Sequence, residues 1–299
     1  MGLCEDTIKL KLGALLFFGK YESIIDKMPH FHLDYQNKTA QTDWRWIDRV
    51  ATGELKYPNL NLFKFYNIVL EKLKTTVLES FELDEKLLRK TSNEIDIALR
   101  EALANSLIHA DYFTDRDIKI EAYNNNYEFT NPGEMKISEE EFAQGGDSQP
   151  RNHTIATLFR RVGISERAGS GGPKIFQAAI NNKFRSPELR SGGGMTQLKI
   201  WKVDLVDAHP ELNANEKTVL RFISKEDVIS ISKLKTTLGL SEYHAKVTLN
   251  SLLSKELIYK EGNGRSTVYR LPDSNSQRIA NLEQMIREVQ DMYVQNNKK

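Results

Sequence analysis

Two glycine-rich stretches, QGGDSQPRN at 144–152 and AGSGG at 168–172, stand close together in the middle of the chain. Regular structure rarely runs through such stretches, because glycine loses the most conformational freedom on ordering and favours turns. The segment between them, Ile155–Val162, reads as a short helix. Pro173–Asn181 reads as another, with proline in its favoured first turn. This part of the chain therefore reads as short helices set between glycine-rich turns.

Upstream, apolar residues recur at Leu62, Phe63, Phe65, Tyr66, Val69, Leu70, Leu73 and Val77, which is helical spacing with a broad buried face. A second helix is expected to start at Thr91-Ser92-Asn93-Glu94, where a capping hydroxyl precedes an acid. Its apolar stripe is Ile95, Leu99, Ala102, Leu103, Ser106 and Leu107. IKIEAY (118–123) and YEF (127–129) alternate around an Asn-rich turn and predict a β-hairpin. MTQLKIWKV (195–203) alternates as a strand, and residues 10–35 read as strands or a short helix and a strand. No apolar run approaches the roughly 18 residues of a membrane span, and LGALLFF (12–18) is core material. The single cysteine, Cys4, excludes an intramolecular disulfide and a Cys-based zinc site, and a cytoplasmic protein with no membrane partner is expected.

Glu101 and Asn105 stand four residues apart, on one helix face beside the Leu99/Leu103/Leu107 stripe, and His109 continues the line. An amide oxygen ligates a hard cation and a carboxylate activates water, so the pair suits a magnesium–nucleotide site as well as a solvated helix face. His109 reads as a packing or hydrogen-bonding residue at the helix end, with Asp111 placed to hold its tautomer. AGSGGPK is not a Walker A loop, because the spacing before the lysine is short and no Ser or Thr follows it.

The order EALANSLIHADY, a hairpin ending in FTNPGEM, then ERAGSGGPKI resembles the ATP-binding fold shared by type II topoisomerases, MutL and histidine kinases. The nearest resemblance is to the divergent ATPase domain of RecG-like, Schlafen AlbA-type bacterial proteins. It covers roughly Gly13 to Val203 and is most specific in SQPRNHTIATLFRRVGISERAGSGG. LGALLFFGK looks like the closing piece of an AlbA-like domain, so a remnant is expected over 1–60 and the ATP-binding domain over 61–205. The resemblance implies an α/β sandwich, with ATP and Mg2+ as cofactors. It makes Glu101 the water-activating acid, Asn105 the magnesium ligand, Asn131 the adenine acceptor and Gly133 the glycine beneath the base. Met135 replaces the second glycine of that box. Gly169, Gly171 and Gly172 match the later glycine turn, with Arg151 and Lys174 placed to balance phosphate charge. Hydrolysis, or binding alone as a switch, both remain open.

Beyond VDAHPEL the composition shifts. Residues 212–272 carry ten Lys and Arg against six Asp and Glu, a local +4 in a chain whose net charge is +1. A basic coat over the whole protein is thereby excluded, and a local basic module is not. The segments 216–222, 229–240 and 241–258 read as helices, with Ser241 capping the last, and 259–271 reads as a hairpin. This pattern, 206–272, resembles a winged helix-turn-helix of bacterial regulators. It implies double-stranded DNA as partner, with Ser241, Tyr243, His244 and Lys246 on the recognition helix and Arg265 on the wing. Protein docking is the competing use of such a module. Ile279, Leu282, Ile286, Val289 and Tyr293 in the 273–299 tail alternate steps of three and four, the seam of a possible homodimer. The expectation is an ATP-binding, DNA-binding transcriptional regulator. The alternatives are a RecG-related DNA-processing ATPase and a nucleotide-free scaffold.

Overall fold

The computed structural model describes residues 11–39, 45–80, 85–146, 149–164, 169–226 and 228–271. Two short helices, α1 (Leu12–Phe18) and α2 (Tyr21–Ile25), lead into strand β1 (Leu33–Lys38), and β2 (Asp48–Ala51) returns antiparallel to it. Two long helices follow, α3 (Leu62–Ser80) and α4 (Glu85–His109). The hairpin β3 (Ile118–Tyr123) and β4 (Asn126–Pro132) comes next, then α5 (Glu139–Gln144), α6 (His153–Arg161) and α7 (Gly171–Asn181). A second hairpin, β5 (Glu188–Gly192) and β6 (Met195–Trp201), turns on Gly193 and Gly194, both at positive φ as a tight two-residue turn demands.

These strands make one mixed sheet in the order β2-β1-β3-β4-β6-β5, in which β1 and β3 form the parallel pair. Alternation decides its faces. Leu33 and Tyr35, Ile118, Ile120 and Ala122, Tyr127 and Phe129, and Leu198 and Ile200 turn inward together. They bury against Val69, Leu73 and Val77 of α3 and Leu99, Leu103 and Leu107 of α4. Each such large apolar side chain contributes about 1.5–3 kcal/mol of burial. The α/β fold class is as expected, and so are α3, the β3–β4 hairpin, α6, α7 and β6.

Four elements differ from expectation. α4 begins at Glu85, so Thr91–Glu94 lies inside it: EKLLRK supplies good helix formers with no glycine or proline to stop them. Strands β2 and β5 sit at the two sheet edges, where one-sided pairing tolerates polar sequences without apolar alternation. Helix α5 is short and starts on a capping box, Ser138 with Glu141. Residues 12–60 share one sheet and one core with the residues that follow, since β1 pairs directly with β3 and Phe17, Ile24 and Phe31 join the same cluster.

A second core gathers Val206, Leu220, Ile223, Leu234, Ala245, Leu249 and Leu252. It is built by α8 (Ala214–Glu226), α9 (Ile231–Leu238), α10 (Glu242–Ser254) and the hairpin β7 (Tyr259–Glu261) and β8 (Val268–Arg270). Buried Glu216 binds Lys255 at 2.7 Å and caps α8 through Asn213, tying the start of α8 to the end of α10. At the junction of the two cores the Arg185 guanidinium stacks over Trp201, pairs with Glu188 at 2.9 Å and lies 3.1 Å from His209 Nε2.

Candidate functional site

A cavity of about 440 Å³ opens between α4, strands β4 and β6 and the two glycine turns. Its wall includes Asn105, His109, Asn131, Gly133, Met135, Arg151, Gly169, Gly171, Gly172, Thr196 and Leu198. Most of the residues assigned from sequence to one ligand thus share one space. Glu101 lies beneath this wall, and Lys174 lines an adjoining cavity of about 540 Å³ that shares Gln144, Gly145, Gly146 and Gly169 with the first.

At the sheet end, Asn131 is buried, and its Nδ2 donates to the Pro132 carbonyl at 3.1 Å. Gly133 adopts φ +95°, its N–H donates to Gly194 O at 2.8 Å, and its carbonyl accepts from Thr196 Oγ1 at 2.7 Å. A Cβ at Gly133 would lie 2.9 Å from Arg151 Nε, so only glycine lets the guanidinium cover this turn. Arg151 also holds this end of the cavity together: its Nε donates to His109 O at 3.0 Å and its Nη2 to Glu134 O at 2.7 Å. The cause is the end of α4, whose last carbonyls have no partners within the helix. Asn152 completes the clamp, with Nδ2 donating to Ile108 O at 2.9 Å and Ala110 O at 2.7 Å. Sequence reading missed Asn152 and Thr196. The only signal for the first was its place beside Arg151, and for the second its register opposite Asn131.

His109 is largely withdrawn from solvent. Burial, then the charges of Arg151 and Lys136, push its pKa down to about 4, so the ring is neutral near pH 7. Asp111 does not hold it: the Asp111 carboxylate accepts from the Phe113 N–H at 3.0 Å and shapes the turn after α4.

At the glycine end, the two turns pack on each other by the absence of side chains. A Cβ on Gly172 would fall 1.7 Å from Phe142 O, and one on Gly169 would fall 1.7 Å from Gly146 O. Gly171 is different, because its missing Cβ would meet Asn105 Nδ2 at 2.9 Å and Glu101 Oε2 at 3.2 Å. The space beside the Asn–Glu pair exists because residue 171 is glycine. Helix α7 starts there, and Pro173 has no N–H to give, so Gly171 and Gly172 supply the donors of its first turn. Glu101, only 4% exposed, accepts from Lys174 Nζ at 3.0 Å, with Arg100 Nη2 at 3.8 Å. Among the described residues no cluster of three His, Cys, Asp or Glu side chains could hold a metal ion. A cation here would have Asn105 as its protein ligand and take its other oxygens from phosphate and water, as Mg2+ commonly does. The donor set and the glycine-made space fit a magnesium nucleotide.

On the second core, Ser241 caps α10 and accepts from His244 N at 3.2 Å. Tyr243, His244 and Lys246 are exposed on that helix, with Tyr243 72% and Val247 50% exposed. Glu242 pairs with both Lys246 at 2.8 Å and Lys235 at 3.3 Å. The Arg265 side chain and the 279–293 seam lie outside the described residues.

The comparisons follow this geometry. A family described as "Putative ATP-dependent DNA helicase recG C-terminal" matches residues 115–200, the stretch from β3 to the end of β6. Over that stretch the chain is similar to an ATPase-type domain, within an α/β fold. Among solved structures, the DIP2311 protein from Corynebacterium diphtheriae aligns at a TM-score of 0.51 with 17% identity. The alignment covers 90% of this chain and 55% of that one, so this chain spans about half the length of that protein and shares its fold. No curated protein matches the chain. Among the described residues no helix is long and apolar enough to cross a membrane.

Proposed function

We propose that this chain is a nucleotide-responsive DNA-binding regulator, in which the sheet layer takes Mg-ATP and the C-terminal helices contact double-stranded DNA. One observation carries the nucleotide half. Asn131, Gly133 and Thr196 at one end, and Asn105 with the α7 N-terminus at the other, converge on a single 440 Å³ cavity. In this reading the Asn131 amide oxygen accepts from the base edge, while its Nδ2 donates to the Pro132 carbonyl. Asn105 holds the magnesium, and the Gly171 and Gly172 N–H groups receive phosphate oxygens. Bound magnesium would neutralise phosphate charge. Without ligand one Glu101 oxygen is held by Lys174 at 3.0 Å and is poorly placed to take a proton from water, so turnover would require ATP to draw that lysine away, and binding as a switch is the first reading. Slow hydrolysis is the second reading, tested by phosphate release from the parent and Glu101→Gln.

The DNA half rests on three helices followed by a hairpin, the plan of a winged helix, with the polar face of α10 exposed. Lys246 and Lys235 share Glu242, so base or phosphate contacts must compete with ion pairs already made. Residues 206–272 then form the DNA module, and if the chain pairs with a second copy the preferred site should be an inverted repeat. Two measurements on the full chain decide the proposal. Mg-ATP should raise the melting temperature of the parent and leave Asn105→Ala unmoved; equal shifts would end the nucleotide assignment. Selection from a randomised duplex library should enrich a site that Lys246→Ala weakens by about 1–3 kcal/mol. Enrichment of nothing at low salt would leave protein docking as the better use of α10.

A further inference from the structure

Glu101 is the most deeply buried charge at this site, and a buried carboxylate without a partner costs several kcal/mol. Its partner, Lys174, comes from α7, one turn beyond Gly171, where that helix begins. Helical side chains lean toward their own N-terminus, so the lysine stem runs back toward the Gly171–Gly172 donors. Its side chain is 27% exposed, against 5% for Glu101, and it lines the adjoining cavity beyond the crossing of Gly145 and Gly169. One ammonium thus stands between a buried carboxylate and an anion-attracting helix start. A lysine ammonium is a point charge with three donors on a flexible stem, able to serve both partners or exchange them.

We propose that Lys174 is a charge interlock through which the cavity counts phosphates. This rests on the nucleotide reading and adds the residue that separates triphosphate from monophosphate. A short phosphate chain ends near Asn105 and Gly171 and leaves the Glu101–Lys174 pair intact. A longer chain passes into the adjoining cavity and recruits Lys174, so that Glu101 and the terminal phosphate compete for one cation.

The test is titration calorimetry of adenosine, AMP, ADP and ATP, at fixed magnesium, on the full chain. Lys174→Met should weaken ATP by about 10- to 100-fold, the range of a lost charge-assisted hydrogen bond, and change AMP by less than about threefold. Glu101→Gln releases the lysine and should tighten ATP several-fold with AMP unchanged. If Lys174→Met fails to fold because Glu101 is stranded, the neutral Glu101→Gln/Lys174→Met variant, compared with Glu101→Gln, gives the same loss selective for ATP. Equal losses for ATP and AMP, or tightening absent in Glu101→Gln, would overturn the interlock and leave Lys174 a structural partner. A parent that binds adenosine, AMP and ATP alike overturns the interlock alone. A parent that binds none of them removes the nucleotide reading itself.

Discussion

The two ends of the cavity are held by different means. At the sheet end, side-chain donors satisfy backbone carbonyls: Arg151 on His109 and Glu134, Asn152 on Ile108 and Ala110, Thr196 on Gly133. At the glycine end the backbones of 142–146 and 169–172 touch with nothing between them. The first end is stabilised by groups that are present and the second by groups that are missing. Deleting atoms should therefore damage the first and adding them should damage the second.

The largest expected effect lies at the glycine end. Gly172→Ala forces a methyl against the Phe142 carbonyl, a backbone atom that cannot swing aside, and should cost about 3 kcal/mol or more in urea unfolding. A neutral result would mean the turns are not in contact.

Next comes the neutral His109 at the sheet end. Its folded pKa, about 4, lies below the ordinary value of 6.5, so between these pH values the unfolded chain holds more proton and stability falls as pH falls. The loss should approach about 3 kcal/mol near pH 4 and vanish above about pH 7. His109→Gln should remove that portion of the pH dependence, measured as the difference between parent and variant unfolding curves. A parallel pair of curves would place the ring in solvent.

Asn152→Ala should cost about 2 kcal/mol, for two hydrogen bonds to carbonyls at the end of α4. Asn152→Asp should not restore it, because a carboxylate cannot donate to those carbonyls. The smallest effect sharpens the contrast. Gly171→Ala meets only the end of the Asn105 side chain and the Glu101 carboxylate, groups that can move, so stability should change by under about 1 kcal/mol. Ligand affinity, by contrast, should fall about tenfold, since the space beside Asn105 is filled. A Gly171→Ala protein as unstable as Gly172→Ala would break the distinction between the two glycines.

How much of this could be read from sequence follows from the same division. The α4 stripe at Ile95, Leu99, Ala102, Leu103 and Leu107 was legible because burial repeats with the helix period. The joint face of Glu101 and Asn105 followed from the same period. Edge strands β2 and β5 were not legible, since an edge leaves one side of the ladder open and asks little of its side chains. Arg151 was visible as a residue of this site, but its carbonyl partners were not. Local sequence says that it carries charge, while its partners, the carbonyls of His109 and Glu134, are fixed only by the folded end of α4. Lys174 was placed beside the glycine turn, yet its bond to Glu101 spans 73 positions and no pattern of either segment announces it.

The strand that lines the cavity with Thr196 and Leu198 ends at Trp201, and the second core begins at Val206. Residues 202–205 reach at most about 14 Å when fully extended. So short a leash keeps the helical module at an effective concentration in the millimolar range beside the edge of the sheet. A contact as modest as Arg185 to His209 then needs only about millimolar affinity to be populated. Encounter between the two halves is already arranged by chain length, and a small bias at that junction is enough to orient one against the other.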